Sequence, residues 1–128
     1  MLTLYGSECW TLTKELENRI DGCYTRLLRK ALNYTWEDYI KNEALYGKLS
    51  KATDKIRNHR LKLAGHCVRH PEVIANLDLL WIPKFGRRSQ GSPKLKYTDQ
   101  LKKDTGLSDI NELRINMNDR ETWKLYQR

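Results

Sequence analysis

The sequence predicts a mainly α protein, a small helical bundle whose C-terminal half is basic and rich in loops. Apolar residues recur at spacings of three and four along several segments, which is the period of one helix face. No segment alternates polar and apolar residues over the length of a strand pair. A chain of 128 residues, 39% of them hydrophobic, is long enough to bury roughly two thirds of its unfolded surface in one core.

The first predicted helix has the clearest apolar face. Thr11 or Thr13 can cap its start, and acidic residues in its first turn with basic residues in its last turns suit the helix dipole. Gly22 interrupts it at a cost on the order of 1 kcal/mol, so we expect a neighbouring group to pack closely over this position. The apolar face consists of Leu16, Ile20, Cys23, Tyr24, Leu27, Leu28, Ala31 and Leu32.

A second long, basic helix is predicted after a connector. Residues 33–41 break the first helix, and Asn42 can cap a short helical turn. The second helix then starts after Ser50 or Thr53, both competent caps, and stops before Pro71. Its apolar face carries Ile56, Leu63, Ala64, Cys67 and Val68.

Shorter helices are predicted towards the C-terminus. Residues 72–80 can form a short helix, but the apolar run 79–82 before Pro83 could equally be extended, because periodicity does not separate the two. Residues 97–104 form a helix that ends at Gly106, a favourable C-terminal cap. Ser108 opens the next helix, and Asn118 starts a final turn.

The positive charge is concentrated in the middle of the chain. Residues 54–103 hold 12 basic and 4 acidic side chains, whereas residues 1–53 hold 8 and 7 and residues 104–128 hold 4 and 5. The loop from Lys84 to Lys96 is part of this central segment. A basic segment between nearly neutral ends is typical of a binding surface for a polyanion, and the alternative is a solvated basic face.

The sequence offers little for catalysis, metal binding or membrane insertion. Three cysteines without a C-x-x-C pair favour neither a disulfide framework nor a zinc ribbon, and no phosphate-binding glycine loop, nucleophile elbow or converging pair of carboxylates is present. A zinc site is a minor alternative, since three histidines share one side of the second long helix. No cofactor and no membrane partner are expected. The histidines and the nearby cysteine are His59, His66, His70 and Cys67.

Basic residues interleaved with aromatic ones favour nucleic-acid binding, because aromatic rings can stack on bases while Arg and Lys neutralise phosphates. Core packing is the alternative for Trp81 and Trp123. The candidate stacking residues are Trp36, Tyr39, Trp81, Phe85, Tyr97, Trp123 and Tyr126.

An ordered set of segments between Leu4 and Trp123 resembles the C-terminal region of non-LTR retrotransposon endonuclease-reverse transcriptases of the RTE-like group. Any one segment is a weak signal, but their order along the chain is specific. The segments are Leu4 to Thr13, Asp21 to Arg29, Arg60 to His70, Leu79 to Pro83, Gly86 to Pro93, Tyr97 to Leu101, Asp104 to Gly106 and Asp119 to Trp123.

The resemblance implies a region downstream of the polymerase palm. Residues 1–70 would be a helical thumb-like segment, and residues 71–128 a basic linker region with short helices that helps to hold template RNA and target DNA. The family's catalytic aspartate motif and its endonuclease motif are not found in this sequence, so no enzyme activity is expected. Met1 stands where the family has a much longer chain, which implies a fragment or a truncated remnant.

The leading hypothesis is a nucleic-acid-binding, catalytically silent fragment of a reverse transcriptase. RNA or DNA and the family's polymerase domain are the expected partners, and the expected location is intracellular and nuclear. The alternatives are a module in which the first helix docks onto a protein and a remnant without function. The expected binding residues are Arg57, Arg60, Lys62, His66, Arg69, Lys84, Arg87, Arg88, Lys94 and Lys96.

Overall fold

The structure is a computed structural model that describes residues 4–47, 49–81 and 95–127. Within these ranges it contains seven α-helices and no strand, which confirms the predicted mainly α class. Two 3₁₀ helices lie at Ser7–Cys9 and Trp36–Asp38. The helices are α1 (Lys14–Ala31), α2 (Asn42–Tyr46), α3 (Ala52–Arg69), α4 (Ile74–Leu79), α5 (Tyr97–Thr105), α6 (Ile110–Asn118) and α7 (Arg120–Lys124).

Contacts divide the chain into two units. The larger unit combines Met1–Thr11 with Arg57–Arg128, and the smaller unit is Leu12–Ile56. Helix α3 therefore contributes its first residues to the smaller unit and the rest to the larger one. Residue 70, at which we expected the chain to divide, lies inside the larger unit. None of the described helices is both long and apolar enough to cross a membrane.

In the smaller unit, hydrogen bonds join α1 to the start of α3. Thr13 caps α1 as predicted, since its hydroxyl accepts from the Leu16 N–H at 3.4 Å. The Asp21 carboxylate accepts from both the backbone N–H of Thr53 (3.1 Å) and its hydroxyl (2.8 Å). This carboxylate satisfies an N–H group in the first turn of α3 that has no partner within the helix.

Three predicted caps are wrong by one or two residues. Thr53 lies inside α3, which begins at Ala52 directly after Lys51. Asn42 is the first residue of α2 rather than its cap, and its side chain accepts from Arg29 Nη2 at 2.9 Å. Asp109, not Ser108, caps α6 by accepting from the Asn111 N–H.

The core of the larger unit is centred on Trp123. The indole N–H donates to the Leu61 carbonyl of α3 at 2.8 Å, and the ring lies so close to Gly65 that a Cβ there would be 2.5 Å from two indole atoms. A side chain at residue 65 is therefore sterically excluded. The buried core side chains are Leu61, Ala64, Val68, Leu80, Leu101, Leu113, Met117 and Trp123.

The helix ends of the larger unit agree with the sequence. Helix α5 ends at Gly106, whose φ of +77° is the left-handed conformation that glycine tolerates best. Helix α3 ends just before Pro71, and Asn76 of α4 donates to the carbonyls of Cys67 and Val68, each at 2.9 Å. Residues 74–79 form the expected short helix, which ends before Leu80 and Trp81, and Ile82 lies outside the described residues.

One expectation for α1 is wrong. A Cβ built at Gly22 meets no atom within 4 Å in the described chain, so nothing packs closely over it. Gly22 instead lines a groove of about 750 Å³ in the smaller unit, between α1 and the residues around α2. The apolar face of α1 is not buried either, because its residues are all at least partly exposed to solvent.

Candidate nucleic-acid interface

The predicted binding residues of α3 lie on two faces of the helix. Because successive residues turn by about 100°, Lys62, His66 and Arg69 share one face through spacings of four and three. Arg57 and Arg60, three residues apart, lie on the opposite side and both contact Asp104. The structure therefore separates residues that the sequence placed in one set.

Arg57 and Arg60 hold α3 to the C-terminal end of α5. Arg60 is only 2% exposed and forms an ion pair with the Asp104 carboxylate, which is 8% exposed. Arg57 donates to the Asp104 carbonyl at 2.6 Å, one of the carbonyls left without a partner at a helix end. Burial and pairing with Asp104 leave Arg60 unavailable to a phosphate.

The face of α3 that carries Lys62 and Arg69 forms one wall of a pocket of about 240 Å³, which we call the basic pocket. Helix α7 supplies the opposite wall, and the buried Trp123 joins the two helices. Four of the lining residues are cations, and no acidic side chain is among them. The lining residues are Lys62, Arg69, Arg120, Trp123, Lys124 and Gln127.

The cations of the basic pocket differ in how they are held. Arg69 is half-buried and donates through Nη1 to the Met117 carbonyl at 2.9 Å, which fixes its guanidinium at the end of α6. Lys124 makes an exposed ion pair with Glu121 at 2.7 Å. Lys62 and Arg120 are exposed, and neither forms an ion pair within the described residues. Their charges are available to an anion.

This arrangement suits a phosphate group. The pocket is smaller than the roughly 300–1,000 Å³ typical of sites for drug-sized ligands. The Arg69 guanidinium is held in place, and the exposed side chains of Lys62, Arg120 and Lys124 around it are flexible and positively charged. Comparison of the chain with protein-family models, curated proteins and solved structures finds no match.

Two pocket cations lie outside the predicted set. Arg120 and Lys124 belong to residues 104–128, whose acidic side chains outnumber the basic ones, so charge counting by segment conceals them. Their spacing of four residues places them on one face of a helix, next to Trp123. This local pattern of two cations beside a tryptophan is the feature of the sequence that could have indicated these residues.

His66 is exposed on the same helix face but does not line the pocket. Its ring lies 4.3 Å from that of His70, and His70 Nδ1 lies 2.8 Å from a carboxylate oxygen of Glu72. The pKa of Glu72 is lowered, because its carboxylate accepts a hydrogen bond first from its own backbone N–H and second from His70.

The described residues do not support the zinc alternative, because they contain no group of three potential metal ligands. Cys67 is buried in α3, whereas His59 is exposed.

Most of the predicted basic loop lies outside the described residues. This part includes Lys84, Arg87, Arg88 and Lys94, so their role stays a prediction. Lys96 is exposed directly before α5, and its backbone N–H donates to Asp99. It does not line the basic pocket.

The aromatic candidates fall into two groups. Trp36, Tyr39 and Trp81 are exposed, and Phe85 lies outside the described residues. Trp123 is fully buried, with the Tyr126 ring centroid 5.5 Å from its own. The Tyr97 hydroxyl donates to the Glu8 carbonyl at 3.0 Å, and burial raises the pKa of this phenol well above its usual range.

Proposed function

We propose that this protein binds nucleic acid through its sugar-phosphate backbone and has no catalytic centre of its own. The observation that carries the proposal is the basic pocket, in which cations from α3 and α7 converge without an acidic side chain in the lining. The chain's net charge of +8 supports it, because a positive field attracts polyanions over a long range. In this proposal the chain is a piece of a retrotransposon reverse transcriptase, as its sequence resemblance implies.

The pocket favours phosphate contacts over recognition of base sequence. Lysine and arginine neutralise phosphates wherever they occur, whereas base recognition needs side chains aimed at base edges. Trp123 is fully buried and its N–H is already bonded to Leu61, so it has no free face or donor for a base. We therefore expect weak sequence dependence and binding to both RNA and DNA. As a piece of a reverse transcriptase, the chain would also contact the family's polymerase domain.

The test is a salt series with a matched pair of charge-reversal variants. Arg120→Glu removes a pocket cation, and Arg114→Glu makes the same charge change on an exposed residue of α6 that does not line the pocket. Glutamate in the first turn of α7 also suits the helix dipole, so Arg120→Glu is expected to fold. Binding to a fluorescent single-stranded RNA and to a DNA duplex is measured by anisotropy.

We expect the affinity of Arg120→Glu to fall about tenfold at low salt, and Arg114→Glu to bind within about twofold of the parent. For Arg120→Glu the slope of log K against log salt should also shrink by about 0.9 on duplex DNA and about 0.7 on single strands. Binding by the parent that barely changes with salt would contradict the phosphate assignment. Equal losses in the two variants would show that net charge alone matters and not the pocket.

The basic loop needs a separate variant. Reversing Arg87 and Arg88 together tests the prediction that this loop adds phosphate contacts. A further loss of salt slope, additive with that of Arg120→Glu, is expected if the loop and the pocket contact different phosphates. Unchanged binding would remove the loop from the interface and leave the pocket assignment intact.

A further inference from the structure

We propose that the exposed apolar face of α1 is a docking surface for a second amphipathic helix, one that carries acidic residues along its edge and belongs to a partner protein. The docking seam is the set Leu16, Ile20, Cys23 and Leu27. This proposal does not rest on the basic pocket, which is built from the other unit.

The seam has the geometry of a helix-pairing surface. Its residues follow one another at spacings of four, three and four, the pattern that keeps side chains in line against a partner helix. Leu16 is 42% exposed and Leu27 54%, and Cys23 is exposed between them. The opposite face of α1 is already occupied, because Asp21 bonds to Thr53 and Thr25 to Tyr46.

The smaller unit has little core of its own. Its buried apolar side chains in the described chain are Leu12, Leu45, Ala52 and Ile56, and its longest helix contributes none of them. The unit Leu12–Ile56 is also shorter than the roughly 55–65 residues of the smallest domains that commonly fold alone. Because helices gain most of their stability from packing, covering the seam would stabilise this unit.

The charges beside the seam select the partner. Arg19 and Arg26 each directly precede a seam residue, and Lys30 follows the seam at its C-terminal end. Arg26 and Lys30 are exposed without an ion pair in the described ranges, while Arg19 pairs with Glu15 where both side chains are 73% exposed. Such an exposed pair is weak, so all three cations can meet acidic residues of a partner.

A second copy of α1 fits this edge poorly. In an antiparallel pair of identical helices, the residues that precede the seam face each other across the interface, so Arg19 and Arg26 would meet arginines. Like charges at these positions oppose association. The geometry therefore points to a different helix with an apolar seam and an edge of Asp or Glu.

The test uses the full chain and three synthetic helical peptides. The first has a leucine seam at spacings of three and four with glutamate along its edge, the second has lysine in place of the glutamate, and the third has the composition of the first in scrambled order. We expect the first peptide to bind at least about tenfold more tightly than either of the others. Leu16→Gln combined with Leu27→Gln should weaken its binding at least about tenfold.

Two controls keep the experiment specific. Leu77→Gln changes a leucine of α4 that is even more exposed than the two seam leucines and lies in the other unit, and it should leave peptide binding unchanged. Bound peptide should also slow alkylation of Cys23 severalfold and leave that of Cys9, exposed outside the seam, unaffected. Mass spectrometry of the modified cysteines reads out both rates in one sample.

Four results would overturn the proposal. The first is equal binding of the scrambled peptide, and the second is unchanged binding by the Leu16/Leu27 variant. The third is a concentration-dependent dimer in sedimentation that the Leu16/Leu27 variant abolishes. The fourth is binding to phosphatidylserine vesicles that depends on Leu16 and Leu27 and occurs without peptide binding. The third result would assign the seam to a second copy of the chain, and the fourth to an anionic lipid surface.

Discussion

Gly65 is the residue that allows α3 and α7 to approach each other. Its missing side chain leaves room for the Trp123 indole, and the same site lies next to the Arg69 guanidinium, 2.9 Å from a built Cβ. Because Trp123 and Arg69 both line the basic pocket, one missing methyl group shapes the core and the pocket together. A glycine in a helix normally weakens it, and here close packing offsets that cost.

Gly65→Ala and Gly22→Ala are predicted to have opposite effects. The first should lower the free energy of unfolding by about 1–3 kcal/mol, because the indole must move away from the new methyl group. The second should raise it by about 0.5–1 kcal/mol, since Gly22 is in a helix with open space around it. Urea titrations followed by circular dichroism measure both, and destabilisation by Gly22→Ala would contradict the open site.

The three cysteines are predicted to differ in reactivity. Cys9 and Cys23 are exposed, whereas Cys67 is 3% exposed, and burial raises the pKa of its thiol. Since the thiolate is the reactive form, two thiols should react rapidly with a disulfide reagent at pH 8. The third should react only as fast as the protein opens. Cys67→Ala should remove the slow phase, and three equal rates would show that Cys67 is accessible.

At the scale of elements, polar side chains close the ends of neighbouring helices. Arg57 donates to the end of α5, Arg69 to the end of α6, and Asn76 to the end of α3. The last carbonyls of a helix lack partners within it, so each of these bonds satisfies a group that would otherwise need water. Arginines on opposite faces of α3 therefore connect this helix to α5 and to α6.

Asp104→Asn tests the contact between α3 and α5. Removing one partner of a buried ion pair leaves the other charge uncompensated, so the free energy of unfolding should fall by about 3 kcal/mol. Arg60→Met combined with Asp104→Leu should cost less, because both charges are removed. Glu15→Gln, which breaks the exposed pair with Arg19, should have no measurable effect in the same urea titration.

Helix class and several helix ends could be predicted because they depend on local chemistry. Thr13, Pro71 and Gly106 act through their own side chain or backbone. The start of α3 could not be predicted in this way, because Asp21 from α1 supplies the bond that a local cap would make. The exposure of the apolar face of α1 could not be predicted either, because periodicity shows which residues share a face but not whether another element covers that face.

The candidate site could be predicted only in part, because helix spacing can be read from the sequence but tertiary contacts cannot. Lys62, His66 and Arg69 lie on one face by helix spacing alone, and the structure places Lys62 and Arg69 in the pocket. Arg60 has the same residue type but points into the core, where only the distant Asp104 makes its burial possible. Arg120 and Lys124 reach the pocket because Trp123 anchors α7 to α3 through tertiary contacts.

At the scale of the whole molecule, we expect the two units to differ in stability. The larger unit has a core that includes a tryptophan and buried leucines from three different helices, whereas no residue of α1 in the smaller unit is buried. Segments with few buried contacts open most easily.

Hydrogen exchange should show this inequality. Amides of α1 are expected to exchange at least about tenfold faster than those in the part of α3 from Leu61 to Val68, because they open without disrupting a core. Mass spectrometry of peptic fragments measures both segments in one experiment. Equal protection of the two segments would show that the units unfold as one.

The burial of Trp123 also gives the basic pocket an optical reporter. Trp10, Trp36 and Trp81 are exposed to solvent, and Trp123 alone among the described tryptophans is fully buried. A dissolved quencher such as acrylamide should therefore extinguish the emission of the other three first and leave a blue-shifted residual signal from the pocket. A ligand that fills the pocket should change that residual fluorescence, whereas one that binds the docking seam should leave it unaltered.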